Sequence, residues 1–487
     1  MALDIESSDS EVRDCELCIV GAGYAALNGL NAAAKYLKQG DRVVFVDKYE
    51  TWGGQWTHQY DFVRLHQPYR MFTAGDQRWT LRRDPSHLAT RREVLDHLRS
   101  VPSVSAGHLD VEPLFGHAYT GHRVREGRVE IDVAPVANGK TTSNRRVVRA
   151  RRLLKATGTD IERLPPLALS SSRVRSVGVS DPALLTPEFL ESDTPVYVVG
   201  SGKTAMDFVR HVVQRGRRAS TARPVHVVTG SGMWFFIRDH LYPRGVRRYV
   251  QGALTGDVFL RIAMMFDGQN ETAVVEALAR DGLMMNVFGQ GGNCRFGMLS
   301  FGERDEIRGG VTEVHRGHLV DVEGSRMVVR SGKEKRETTV RDGSWFVNCT
   351  SHLRQFPHEP VLQDGGLVCA PQFAMGFSGT TAYYVTHLWY RDALASVAPE
   401  LFRIRVDVEP KLRFVPQVGL MVMANMAMAG ARLPFSIPSM FQGDFNKWYP
   451  LHRQLGVIAR IVATRGKVIR RAERFLRTRY SDAPDAD

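Results

Sequence analysis

Two glycine-rich turns, about 180 residues apart, each follow an apolar run, and they constrain the fold more than any other feature. Each turn reads strand, G-x-G-x-x-A, helix. The small residues permit a tight turn, let the backbone approach a pyrophosphate and pack the helix on the strand. The two turns carry the triplets Gly21, Gly23, Ala26 and Gly200, Gly202, Ala205. Together they predict two dinucleotides held by one chain.

The first turn is followed at the expected distance by a second apolar run. Arg42–Asp47 is predicted to be the next parallel strand, and the spacing from Gly21 to Asp47 fits a βαβ unit of about 30 residues. An acid at the end of this strand accepts hydrogen bonds from an adenosine ribose in such units. Asp47 is therefore predicted to bind ribose. The alternative is a surface acid at a strand end.

Composition is that of a large enzyme. The chain has 487 residues, of which 43% are hydrophobic and 24% charged, enough for two or three domains. Its five cysteines are scattered and no signal peptide is recognisable, so we expect no disulfide framework and a cytoplasmic location. Metal-ligand motifs such as H-E-x-x-H are missing from the sequence, and no metal site is expected.

The net charge of +13 raises the question of a nucleic-acid partner. The basic residues are spread along the chain without the aromatic interleaving of a recognition module, so none is expected. They are concentrated only between Leu451 and Tyr480, where apolar residues recur at helical spacing (Leu455, Ile458, Val462, Ile469 and Leu476). Such a basic amphipathic helix either lies on an anionic membrane surface or packs on the protein.

Further motifs make the resemblance specific. They are Gly53-Gly54-Gln55-Trp56, the stretch from Tyr60 to Pro68 (YDFVRLHQP) and the turn Ala156-Thr157-Gly158. With the two glycine-rich turns, they make residues 14 to about 380 resemble the flavin-containing monooxygenase group, FAD- and NADPH-dependent oxygenases that include plant auxin-biosynthesis enzymes. The Tyr60–Pro68 stretch is most similar to the plant members.

The resemblance implies an α/β fold with two dinucleotide-binding Rossmann-type domains of three ββα layers, the second inserted into the first. The FAD-binding domain is expected at 14–190 and 341–450, and the NAD(P)-binding domain at 191–340. Residues 1–13 are expected to be flexible, and 451–487 to form the basic helix and tail.

The resemblance also assigns site residues. FAD is expected to be held by Gly21, Gly23, Ala26, Asp47, Gly54, Gln55, Trp56 and Gly158. The nicotinamide nucleotide is expected to be held by Gly200, Ser201, Gly202, Lys203 and Thr204, with Arg238 on the 2′-phosphate of NADPH. His66 is expected beside the flavin as the catalytic residue. The alternative for His66 is a histidine satisfied by backbone in a loop.

Three departures from the family pattern leave alternatives open. The segment Val174–Ser180 lacks the family's histidine, and Thr229–Trp234 lacks an arginine before Trp234. Asn348-Cys349-Thr350 replaces a late A-T-G turn. NAD is therefore possible in place of NADP. The chain is expected to be a monooxygenase that reduces FAD with NADPH and oxygenates a small organic substrate through a flavin hydroperoxide formed with dioxygen. The alternatives are a flavin reductase or oxidase without oxygen insertion, and a non-catalytic flavin-binding scaffold.

Overall fold

The computed structural model describes residues 12–480 except 159–163, 220–222, 351–358, 372–374, 402–403, 405–408 and 410. Most of the N-terminal segment predicted to be flexible lies outside the described residues, as does the tail beyond 480.

The strands alternate with helices in the first half of each nucleotide unit. In chain order they are β1 (Val12–Val20), β2 (Arg42–Asp47), β3 (Asp110–Phe115), β4 (His117–Arg125), β5 (Arg128–Ala137), β6 (Lys140–Thr141), β7 (Arg146–Lys155), β8 (Arg175–Gly178), β9 (Val196–Val199), β10 (Val225–Val228), β11 (Gly232–Ile237), β12 (Met284–Gly291), β13 (Cys294–Leu299), β14 (Glu313–His315), β15 (His318–Glu323), β16 (Arg326–Ser331), β17 (Glu334–Thr339), β18 (Trp345–Asn348), β19 (Leu362–Gln363) and β20 (Val368–Cys369).

The helices fall into two groups, those beside the two main sheets and those of the C-terminal region. In chain order they are α1 (Tyr24–Ala33), α2 (Arg91–Arg99), α3 (Val101–Ser105), α4 (Pro187–Leu190), α5 (Lys203–Ala219), α6 (Arg238–Leu241), α7 (Arg247–Val250), α8 (Thr255–Met265), α9 (Glu271–Arg280), α10 (Phe301–Gly310), α11 (Ser378–Tyr390), α12 (Phe414–Gly430), α13 (Ser436–Met440) and α14 (Leu451–Tyr480). Short 3₁₀ turns include Gly54–His58 and Tyr69–Met71.

The first sheet is parallel at its centre. Its order is β19-β20-β7-β1-β2-β3, and the antiparallel strands β5 and β4 extend from β7. Strand β1 is buried on both faces, because Leu17 and Ile19 pack with α1 while Cys18 and Val20 pack with β5. Burial on both faces is usual for a parallel strand between two layers. Helices, parallel sheet and antiparallel strands thus form three layers.

The second sheet has five parallel strands within the described residues, in the order β14-β10-β9-β18-β8. Its strands fall between residues 175 and 348, whereas those of the first sheet fall before 156 and after 361. The second unit is therefore inserted into the first, which confirms the predicted α/β fold with two Rossmann-type units. Strands β8 and β18 of this sheet lie on either side of the predicted 191–340 range.

The C-terminal region adds a helical layer in which α12 packs against α8 and α14. Helix α12, which carries no charged residue, is largely buried. Helix α14 is present as predicted, but it packs through a face different from the one its periodicity suggested. The buried residues are Val457, Val468, Ala472 and Phe475. Among the described residues, we find no helix with both the length and the apolar character needed to cross a membrane.

Candidate cofactor and active site

The first glycine-rich turn lies at the carboxyl ends of three neighbouring strands, β1, β2 and β7. Gly21 donates its N–H to the Val46 carbonyl at 2.8 Å, and Ala156 donates to the Val20 carbonyl at 2.8 Å. Gly21 has a φ of +104°, and a Cβ built there would lie 2.4 Å from the Ala156 oxygen. Only glycine fits this position. The Ala156-Thr157-Gly158 turn therefore returns to the first nucleotide turn, as the resemblance implies.

Gly54 lies directly against the first turn. A Cβ on Gly54, whose φ is +52°, would lie 2.7 Å from the Cα of Gly23. The N–H of Gly53 donates to the Ala22 carbonyl at 3.0 Å, which fixes this approach. Helix α1 begins at Tyr24, so its first N–H groups point to the turn and are available to an anion. The two backbones meet because neither glycine has a side chain.

Asp47 is tied to the same turn. One carboxylate oxygen accepts the N–H of Ala22 at 2.6 Å, and the other accepts the N–H of Tyr49 at 2.8 Å. The side chain is 8% exposed. Asp47 therefore braces the turn, and its contact with a ribose hydroxyl stays a prediction.

The second turn repeats the bonding of the first. Gly200 donates to the Val228 carbonyl at 2.9 Å, and Cys349 donates to the Val199 carbonyl at 2.9 Å. Gly200 has a φ of +132°, and its Cβ would lie 2.6 Å from the Cys349 oxygen. The turn Asn348-Cys349-Thr350 thus takes the same place beside the second unit that Ala156-Thr157-Gly158 takes beside the first.

A crevice of about 190 Å³ opens beside the second turn, between the ends of β9 and β10 and the β15 strand. It is lined by Val199, Gly200, Val228, Gly230 and His318, among others. Ligands of open α/β sheets bind at the carboxyl ends of the strands, where the strand order reverses. This crevice is therefore the candidate nucleotide site of the second unit, and sequence reasoning missed His318 in it.

Lys203, in the second turn, is paired within the protein. Its ammonium bonds the carboxylate of Asp207 one helical turn along α5. Asp207 also accepts the hydroxyl of Tyr60 at 2.9 Å. Tyr60 belongs to the Tyr60–Pro68 stretch of the first unit. The pair thus connects the second turn to the first unit, and the Tyr60 hydroxyl also hydrogen-bonds Thr204.

Arg238 forms a second connection between the units. Its guanidinium bonds Glu303 at 2.7 Å and donates from Nε to the His66 carbonyl at 2.5 Å. Nη2 donates to the Met298 carbonyl at 3.3 Å. Glu303 is the third residue of helix α10 and forms a capping box with Ser300. The S-x-x-E pattern at 300–303 is a sequence signal for this cap that was overlooked.

Electrostatics fix the protonation states in this second connection. Burial alone would raise the pKa of Glu303, but Arg238, Lys203, the Ser300 N–H and Arg210 outweigh it and bring the pKa to about 2. Glu303 is therefore ionised and satisfies the buried guanidinium.

His66 lies within the same environment. Burial, followed by the charges of Lys203 and Arg238, lowers the pKa of His66 to about 3, although a hydrogen bond with the Phe296 backbone opposes this. The imidazole is neutral at physiological pH. It can donate or accept a hydrogen bond, but it cannot serve as a cationic acid.

The remaining predicted residues fall in or beside the two turns. Ala26 is fully buried where α1 meets β1, and Trp56 is buried with its ring at 5.5 Å from that of Phe72. Gln55 is exposed, and Ser201 is partly exposed at the start of α5. Ligand contacts of these residues stay predictions.

This fold has counterparts among solved protein structures. No protein-family model and no curated protein matches the sequence. Among solved structures, an oxidised steroid monooxygenase bound to NADP aligns over 94% of this chain and 98% of its own, with 13% identity and a TM-score of 0.51. Polycyclic ketone monooxygenase from the fungus Thermothelomyces thermophila aligns over 98% and 90%, with 12% identity and a TM-score of 0.50.

The fold is that of these monooxygenases. At such low identity the likeness concerns the chain path, the paired nucleotide units and their order. It agrees with the family resemblance drawn from the motifs. The narrower likeness to plant auxin-biosynthesis enzymes rests on the Tyr60–Pro68 stretch alone.

Proposed function

We propose that this protein is an FAD-dependent monooxygenase that uses NADPH and dioxygen to oxygenate a small organic substrate. The observation that carries the proposal is the duplicated turn, with two sets of equivalent backbone bonds in one chain. The bonds Tyr60–Asp207 and Arg238–His66 join the two units. This arrangement favours two nucleotides held against each other, as hydride transfer between cofactors requires.

The first unit fits FAD. Gly21, Gly23 and Gly54 form a turn in which side chains would collide, and the carboxylate of Asp47 lies beside this turn. FAD, when bound, accepts hydride from the nicotinamide and delivers electrons to dioxygen. The residues of this chain then have three tasks: to hold the pyrophosphate at the start of α1, to bind ribose through Asp47, and to provide a neutral hydrogen-bonding group at His66.

Buried and partly buried aromatic rings cluster around Phe296. The ring of Phe296 is 5.8 Å from that of Phe414 and 6.5 Å from that of Phe377, which lies 5.1 Å from Phe445. His66 hydrogen-bonds the Phe296 backbone. An aromatic cluster beside the proposed catalytic residue favours an apolar organic substrate.

The cysteines of this chain argue against one kind of reductase, the kind that acts through a dithiol. Reductases that act through a dithiol need an accessible, acidic cysteine pair. All five cysteines of this chain are buried, and burial raises the pKa of Cys15, in the C-x-x-C pair with Cys18, to about 12. A reductase or oxidase without a dithiol remains the competing function.

Anaerobic reduction by NADPH, followed by ¹⁸O₂ and a panel of small amines, thioethers and ketones, tests the proposal. We expect flavin bleaching and one labelled oxygen in product for each NADPH consumed. Stoichiometric hydrogen peroxide with every compound would indicate an oxidase. Flavin that neither NADPH nor NADH bleaches would indicate a scaffold.

We further propose that helix α14 contacts an anionic membrane surface. Its buried face is complemented by a second apolar stripe, in which Leu451, Leu455, Ile458 and Val462 are 42–66% exposed. These residues recur every three to four positions, so they share one face. Exposed basic residues follow directly (Arg465, Lys467, Arg470, Arg474 and Arg477). An apolar stripe with basic neighbours is complementary to anionic lipid.

The neighbouring segment extends this surface. Val246, directly before α7, and Val250, the last residue of α7, are 81% and 80% exposed. Arg453 of α14 donates to the carbonyls of Arg248 at 3.2 Å and Gly252 at 2.8 Å, so the two segments lie side by side.

Sedimentation with vesicles tests this contact. Phosphatidylserine-containing vesicles should retain the protein and pure phosphatidylcholine vesicles should not. Leu455→Ser with Val462→Ser should abolish retention, while Val104→Ser, at an exposed valine of α3, should not. Equal retention of all variants, or self-association through the stripe in ultracentrifugation, would contradict the proposal.

A further inference from the structure

Three potential metal ligands meet at the outer edge of the second sheet. Strands β10 and β14 pair in parallel, with His226 opposite Glu313 and Val228 opposite His315. Because alternate residues of a strand share a face, the side chains of His226, Glu313 and His315 lie on the same face. The two histidines are 89 residues apart in the chain and meet only through this register.

The distances between the three ligand atoms are nearly equal. His226 Nδ1 lies 3.3 Å from His315 Nε2 and 3.6 Å from Glu313 Oε2, and His315 Nε2 lies 3.5 Å from the same oxygen. Tetrahedral zinc with bonds of about 2.1 Å requires ligand atoms about 3.4 Å apart. The triangle therefore matches one face of a zinc tetrahedron.

The surroundings hold one ring in place and leave the site accessible. The His226 ring stacks on Tyr197 with centroids 4.4 Å apart, which fixes its plane. Glu313 is exposed, so an ion can enter from solvent.

A hydrogen-bonded cluster without metal is the simpler explanation of the same contacts. At 3.3 Å one proton can lie between the two ring nitrogens, and Glu313 can accept a hydrogen bond. That explanation requires neither equal separations nor a carboxylate oxygen close to both nitrogens. Histidine nitrogen and carboxylate oxygen at these spacings are ligands that zinc accepts in tetrahedral sites.

We propose that His226, His315 and Glu313 bind one Zn²⁺ in a tetrahedral site whose fourth position is open to water. The site is independent of the proposed oxygenase chemistry. The His315 carbonyl accepts the N–H of Thr229 at 3.1 Å, and Gly230 donates to Gly317 at 2.9 Å. A bound ion would therefore fasten the loop after β10, which lines the nucleotide crevice.

Metal titration tests the site. Protein stripped with a chelator and dialysed against Zn²⁺ should retain one ion per chain, measured by mass spectrometry, and should gain thermal stability by mass action. His226→Ala and His315→Ala should each weaken binding by at least about 100-fold. His452→Ala, at an exposed histidine of α14, is the matched control and should bind like the wild type.

Cobalt substitution tests the geometry separately. Co²⁺ in the wild-type protein should give the intense visible bands of tetrahedral coordination, and Glu313→Gln, at an exposed position that does not affect folding, should weaken or remove them. Zinc retention unchanged in both histidine variants would overturn the proposal. Octahedral Co²⁺ spectra in the wild type would also overturn it.

Discussion

The two nucleotide turns share their backbone bonding but differ in what surrounds them. In the first, Gly23 is covered by Gly54 and the turn is braced by Asp47. In the second, a Cβ on Gly202 would meet only the end of Met233, at 3.7 Å, and the position equivalent to Asp47 is Thr229. The first turn is closed and acid-braced, while the second faces an open crevice.

This difference matches two kinds of ligand. A cofactor that stays bound through many turnovers benefits from an enclosed site, whereas a nucleotide that must leave after each hydride transfer needs an open one. We therefore infer that the first turn retains its nucleotide and the second exchanges it.

Substitution of the first glycine of each turn should have the largest effect. Gly21→Ala and Gly200→Ala each combine a positive φ with a collision against a carbonyl oxygen, and these two effects together cost about 4 kcal/mol in the folded turn. Gly21→Ala should purify without FAD. Gly200→Ala should keep FAD but resist reduction by NADPH.

Gly40→Ala is the matched control, because Gly40 has a φ of +81° but open space around it. It should retain both functions. Loss of FAD in Gly200→Ala, or its full retention in Gly21→Ala, would break the assignment of the two turns.

Glu303→Gln should have the next largest effect. The pKa of Glu303 is about 2 in the folded protein and its ordinary value is 4.5, so the carboxylate contributes about 3 kcal/mol of stability at neutral pH. A depressed pKa gives stability that is present above pH 4.5 and is lost as the pH falls towards 2. Urea unfolding should therefore show the whole loss of unfolding free energy in Glu303→Gln, relative to the wild type, at pH 7. This loss should become smaller below pH 4.5.

Glu306→Gln provides the control on the same helix. Glu306 also bonds Arg210, but it is more exposed and should contribute about 1 kcal/mol or less. Equal losses of unfolding free energy in the two variants would show that the buried Arg238–Glu303 pair contributes no more stability than the more exposed pair of Glu306.

The turns could be predicted from sequence because their chemistry is local. A strand, two glycines and a helix lie within ten residues, and the geometry at Gly21 and Gly200 follows from that pattern. The capping box from Thr90 to Glu93 was predictable for the same reason and is present.

The connections between units could not be predicted, because they depend on tertiary placement. Arg238 reaches the His66 carbonyl across 172 residues, and Tyr60 reaches Asp207 across 147. Nothing in the local pattern of Arg238 indicates that a buried carboxylate will pair with it. Periodicity likewise could not decide which of two apolar stripes of α14 is buried.

The preference of the second turn for NADPH over NADH further tests the comparison of the two turns. Two of the five N–H groups of Arg238 remain after its three bonds, so a 2′-phosphate contact stays our prediction. Arg238→Ala should lower the NADPH preference by about 2 kcal/mol, roughly thirtyfold. His318→Ala should lower it by about 1 kcal/mol, roughly fivefold.

The measurement is the ratio of reduction rates with the two nucleotides on variants that retain FAD. If the ratio is unchanged in Arg238→Ala but lowered in His318→Ala, the 2′-phosphate binds in the crevice and not at Arg238. A wild-type enzyme indifferent to the phosphate would be an NADH enzyme.

Substitution of His66 is expected to have the smallest effect on flavin reduction. This residue belongs to the first unit, and its carbonyl accepts a hydrogen bond from Arg238 of the second. His66→Ala should leave anaerobic reduction by NADPH nearly unchanged, because the imidazole is predicted to hydrogen-bond a species present only after oxygen reacts. Reoxidation should instead release more hydrogen peroxide for each NADPH consumed. Because the pKa of His66 is about 3, neither phase of the wild type should show an inflection from this residue between pH 5 and 8. Stopped-flow traces should be compared with those of His452→Ala, an exposed control. If both phases match the wild type, His66 is a packing residue, and if FAD is lost, its role is to support the first site.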